Sequence, residues 1–100
     1  MSWCDTIMIK SFKCKATQKI FYRQKIDKFP AEILPTSLRK LWMIDSALSI
    51  NDLRSPPANH LEKLRGNRFG QFSIRINKKW RICFEWDRGN AYDVEITNYH

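Results

Sequence analysis

Three runs rich in β-branched and aromatic residues, joined by short polar turns and preceded by two stretches of helical periodicity, predict an α+β domain. The runs are Gln71 to Ile76, Trp80 to Trp86 and Ala91 to Ile96. The links Asn77-Lys78-Lys79 and Asp87-Arg88-Gly89-Asn90 are too short for a parallel crossover, so the runs form a three-strand antiparallel meander. Two amphipathic helices need an apolar surface, and one face of such a sheet supplies it. The expected arrangement therefore has helices on one face of the sheet and leaves the opposite face as a working surface.

The elements follow in order. Met8-Ile9-Lys10-Ser11-Phe12 alternates apolar and polar residues and predicts a short opening strand with Ile9 or its neighbours facing inward. Residues 1–7 read as an N-terminal extension, with Met8 a second candidate start, and 8–100 as a single domain. Residues 13–28 lack Gly and Pro and repeat Ala16, Ile20 and Phe21, then Tyr22, Ile26 and Phe29, at helical intervals, which predicts an amphipathic helix with a basic outer face. Leu34, Leu38, Leu41, Trp42 and Leu48 predict a second helix ending near Ala47, with Pro35 either near its start or kinking it. Ser49-x-x-Asp52 has the form of a capping box, and Ser55-Pro56-Pro57-Ala58-Asn59 is a loop.

Eighteen Lys and Arg against ten Asp and Glu give a net charge of +8, which points to a polyanionic partner, nucleic acid before acidic protein. The excess is spread, with ten basic residues against five acidic over 1–59 and eight against five over 60–100, so charge alone does not locate a ligand. No apolar run approaches the roughly 20 residues that cross a bilayer, and Met1 to Ile7 lacks the layout of a secretory signal. A cytoplasmic protein without membrane association is expected. Cys4, Cys14 and Cys83 are odd in number and widely spaced, fitting neither a disulfide framework nor a zinc site; Cys83, between Ile82 and Phe84, reads as core filler.

Alternation on the strands puts Phe72, Ile74 and Ile76 on one face and Gln71, Ser73 and Arg75 on the other, where Arg81 of the next strand joins them. Upstream, Lys63-Leu64-Arg65-Gly66-Asn67-Arg68-Phe69-Gly70 combines three cations with two glycines. Glycine permits positive φ and close backbone approach, and arginine offers a bidentate fork to phosphate. Composition leaves this segment either a phosphate contact or an ordinary basic turn. The final Tyr99-His100 places a group that trades protons near neutral pH directly after the last strand.

Taken together, Leu64-Arg65-Gly66-Asn67-Arg68, Gly70 to Asn77, Trp80-Arg81-Ile82-Cys83-Phe84, Tyr92 to Ile96 and Tyr99-His100 resemble the HigB-type toxins of the RelE superfamily. Met8 to Phe12 matches the family's opening strand, so the likeness runs from Met8 to the end. The resemblance implies a RelE-like fold and a type II toxin that cleaves messenger RNA on the ribosome. It also implies a helix-turn-helix antitoxin of HigA type, contact with operator DNA only through that antitoxin, and no metal or other cofactor. His100, Tyr99, Arg81 and Arg65 are then the implied catalytic residues, with Arg68, Arg75, Lys63, Lys79 and Asn98 holding RNA. Many relatives close with Asp-Tyr-His where this chain has Asn98-Tyr99-His100, and some carry His where this chain has Glu62. The α-carboxylate of His100 is the candidate substitute for the missing aspartate. Two other readings of the same fold are a catalytically weak RNA- or ribosome-binding protein and a ParE-like gyrase poison.

Overall fold

The computed structural model describes residues 9–55, 57–66 and 70–98. Residues 1–7, Met8, Arg68, Tyr99 and His100 lie outside the described residues. The elements are α1 (Lys15–Phe21), α2 (Leu34–Ser46), β1 (Glu62–Lys63), β2 (Gln71–Arg75), β3 (Trp80–Asp87) and β4 (Asn90–Asn98). Short 3₁₀ turns occupy Ala31–Ile33, Ile50–Arg54 and Pro57–Asn59. The strands form one antiparallel sheet in the order β1-β2-β3-β4, and both helices contact β4. The mixed α+β layering thus follows the sequence, with a fourth strand that alternation did not predict. Glu62 and Lys63 are both polar and exposed, so β1 has no apolar signature.

The core lies between the helices and one sheet face. Ile33, Leu41 and Ile44 meet Ile74, Ile82, Phe84 and Val94, and all seven are almost fully buried. Each such side chain stabilises the fold by about 1.5–3 kcal/mol. Cys83 is buried as expected, and neither Cys14 nor Cys83 is in a disulfide.

α1 is much shorter than the predicted 13–28. It stops at Phe21 because Arg23 adopts φ 60° while its amide donates to the Ile20 carbonyl at 3.0 Å and the Gln24 amide donates to the Lys19 carbonyl at 2.7 Å. This paired ending usually employs glycine at the left-handed position, and no glycine stands here to announce it. Pro35 sits in the first turn of α2, where its missing amide costs nothing. Trp42, placed by periodicity among the inward residues, is instead 42% exposed, and the Arg23 guanidinium lies 4.8 Å from its ring centre. Leu48 also lies outside, at 78% exposure. The capping box forms, with Leu48 and Ser49 amides donating to Asp52 Oδ2 at 2.8 and 3.3 Å.

The opening segment is not a continuous strand. It touches β4 through two isolated parallel bridges, Ile9 to Ala91 and Phe12 to Val94, with Ile9 buried. The reason is a bulge in β4. Pairing with β3 shifts by one residue between Cys83↔Glu95 and Glu85↔Tyr92, and Asp93 takes φ 52°. Ser11 fills the gap: the Asp93 amide donates to Ser11 Oγ at 2.8 Å and the Val94 amide to the Ser11 carbonyl at 3.1 Å. An irregular edge of this kind satisfies its amides one by one and cannot carry a regular ladder.

Candidate nucleic-acid interface

The two mid-strand arginines come together as alternation requires. Arg75 of β2 and Arg81 of β3 are directly opposite, and Thr97 of β4 is opposite Arg81 on its other side. Directly opposed side chains share a face with their Cβ atoms about 5 Å apart, and like charges so placed repel.

Their environments differ from the expected open surface. Arg81 is only 7% exposed. Its Nε donates to Ser73 Oγ at 2.8 Å, its Nη2 donates to the His60 carbonyl at 2.7 Å, and Glu62 Oε1 lies 3.5 Å from Nη2. Ser73 and Cys83 beside it are fully buried. The centre of this sheet face is therefore closed, and the segment bringing His60 and Glu62 lies against it. Alternation assigns a face to Arg81 but carries no information about a loop laid over that face. Glu62 is half exposed and paired with Arg81 rather than solvated alone.

Arg75 is half-buried, and its Nε donates to the Asn77 carbonyl at 3.1 Å. Arg65 is exposed and precedes Gly66 at φ 66°, while Gly70 at φ 95° precedes β2. Both glycines thus adopt the positive φ expected of the basic segment. Lys79 is exposed in the β2–β3 turn, where the Lys79 and Trp80 amides donate to Asn77 Oδ1 at 2.8 and 2.9 Å. Lys63 pairs with Phe72 and Asn98 with Trp80, so these two belong to the helix-side face and are not gathered with the arginines.

Sequence reasoning missed three contributors. His60 gives Arg81 a carbonyl acceptor from a backbone at φ 46°, and Asn59 and Lys40 are buried polar residues behind it. Lys40 stands three residues after Ser37 and four before Ile44 on the buried stripe of α2, so the spacing itself was a signal. Among the described residues no three His, Cys, Asp or Glu side chains converge as a metal site, and no helix is long and apolar enough to cross a membrane.

The chain matches the family of RelE-like toxins of type II toxin-antitoxin systems, HigB, over residues 10–100. It belongs to that family. It is 39% identical over 90 residues to Toxin HigB-1 of Vibrio cholerae, covering 89% of this chain and 95% of that one. It is 34% identical over 93 residues to Endoribonuclease HigB of Proteus vulgaris, covering 93% of this chain and all of the relative. Its fold is similar to a chain in the YoeB-YefM complex from Staphylococcus aureus, with TM-score 0.59 and 24% identity over 92% of this chain and 97% of that chain. The RelE-like fold implied by the resemblance is therefore the observed one, and the toxin has an antitoxin as its partner.

Proposed function

We propose that this toxin is a messenger-RNA endonuclease that acts on translating ribosomes, without a metal, through the RNA's own 2′-hydroxyl. The observation carrying this reading is the Arg75–Arg81 pair, two like charges held opposite each other on rigid strands. Glu62 offsets part of that repulsion at Arg81, and in this reading a phosphate displaces the half-exposed carboxylate and lies against both guanidiniums. The endoribonuclease name of the Proteus vulgaris relative supports RNA as that anion. Fixed donors aimed at a phosphate stabilise the charge that grows on its oxygens, and they need not reorganise when it does.

In this reading Arg81 and Arg65 stabilise the scissile phosphate, and Arg75 and Arg68 grip its neighbours. His100 exchanges the proton of the attacking or leaving oxygen, and Tyr99 stacks on a base or orients the phosphate. Lys63, Lys79 and Asn98 contact RNA farther from the cut. The antitoxin is a helix-turn-helix protein of HigA type, through which operator DNA is reached, and the site of action is the cytoplasm.

The test maps messenger-RNA 5′ ends in cells expressing wild type or Arg81→Ala. Wild type is expected to produce new ends and arrest growth, and the variant to lose about a hundredfold or more of the cleavage, as removal of one charge-stabilising donor does. A folded Arg81→Ala protein that cuts and arrests growth like wild type overturns the assignment. The Glu62 pairing of Arg81 favours one rival, an RNA- or ribosome-binding protein without catalysis, which would stall ribosomes and leave no new ends.

A further inference from the structure

Lys40 breaks the rule by which α2 otherwise buries its inward stripe. It is 5% exposed, and no carboxylate lies within ion-pair distance of it among the described residues. A buried ammonium is costly, and a methionine of similar length would fill the same space without that cost. What the lysine does have is one directed bond: its Nζ donates to Asn59 Oδ1. Asn59 is fully buried, and its Nδ2 donates to the Leu53 carbonyl at 3.2 Å and the Ser55 carbonyl at 3.4 Å. The side chain thus locks a stretch that has no regular ladder of its own.

The next residue is His60. Its amide donates to the Pro57 carbonyl at 3.0 Å, its φ is 46°, and its own carbonyl accepts from Arg81 Nη2. A non-glycine residue holds such a backbone only where its surroundings over-determine it. The bonds made by Asn59 are the ones that do so immediately upstream. A path of hydrogen bonds and one peptide link therefore leads from α2, through Asn59 and the His60 carbonyl, to the guanidinium at the centre of the sheet face.

We propose that Lys40 is a positioning residue for RNA cleavage, acting through Asn59 and the His60 carbonyl to fix the orientation of Arg81. This rests on the endonuclease reading above. Burial, with the Arg39 guanidinium adding to it, also holds the Lys40 ammonium below the ordinary lysine value, in keeping with a charge retained for its geometry.

The experiment is a mutant cycle read as single-turnover cleavage on programmed ribosomes, with half-saturation and maximal rate separated. Lys40→Met is expected to lower the maximal rate by about ten- to a hundredfold, with half-saturation little changed, since a shift of about 1 Å at a distance from the chemistry costs that much. In an Arg81→Ala background the same substitution is expected to add no further loss, because its effect passes through Arg81. Lys40→Arg, which keeps a donor for Asn59, is expected to recover most of the rate, and it serves if Lys40→Met does not fold. An equal loss with and without Arg81, or an unchanged maximal rate in a folded Lys40→Met, overturns the proposal. So does a Lys40→Arg protein as slow as Lys40→Met, or one that folds alone of the two yet cuts no differently in an Asn59→Ala background. If Arg81→Ala itself cuts like wild type, it is the endonuclease reading that fails.

Discussion

The two faces of the sheet are both shut to water at their centres, by different means. Under the helices, Leu41, Ile44, Ile82 and Phe84 exclude water by apolar contact alone. On the other face Ser73 and Arg81 are buried among directed bonds, with His60 and Glu62 completing the set. Apolar packing accepts any side chain of the right shape, whereas a hydrogen-bonded guanidinium fixes direction as well as place. One face thus supplies stability and the other supplies aim.

Truncation beneath the helices tests the contrast hardest. Phe84→Ala is expected to lower unfolding free energy by about 3–5 kcal/mol, measured by urea denaturation, because the site cannot fully collapse around the lost ring. An exposed-site value for Phe84→Ala would erase the distinction between the faces.

Next comes pH, which probes the polar residue set into the helix layer. Burial depresses the Lys40 pKa, so the folded chain binds that proton less tightly than the unfolded chain. Unfolding then takes up a proton between the two pKa values, and the Lys40 contribution to stability rises as pH increases from the folded toward the unfolded pKa. Wild type is therefore expected to gain on Lys40→Met in urea midpoints taken as the pH rises toward the ordinary lysine value of 10.5. A constant difference removes the buried-charge description.

A smaller effect is expected where the segment laid over Arg81 begins. Asp52→Ala removes the acceptor for two amides and should cost about 0.5–2 kcal/mol in thermal denaturation while leaving cleavage unchanged. Glu62→Gln is the mildest: it discharges a half-exposed partner of Arg81 and should tighten RNA binding by no more than about fivefold. Weaker binding by Glu62→Gln would mean that the carboxylate orients Arg81 and does not compete with phosphate.

Much of this contrast was legible in the residues. Alternation separated Ile74 from Arg75 and Ile82 from Arg81, and the Ser49–Asp52 spacing marked its turn correctly. What escaped detection has no local pattern. Arg23 ends α1 in a conformation that arginine seldom adopts, β1 is two polar residues long, and the burial of Arg81 depends on a segment some twenty residues earlier in the chain. Trp42 has helical spacing but the wrong angle, so an aromatic residue that periodicity counted inward stacks with arginine outside. Placement of Arg75 beside Arg81 came from period alone, while the acceptors that steer Arg81 are tertiary.

The seam between Ser11 and Asp93 has a consequence for how the toxin is made. Its partners are 82 positions apart, and β4 is the final strand to be synthesised. A nascent chain therefore carries its opening segment without a dock until β4 has been made, and non-local closure of this kind comes late in folding. A chain cut short before β4 lacks the strand that receives Ser11.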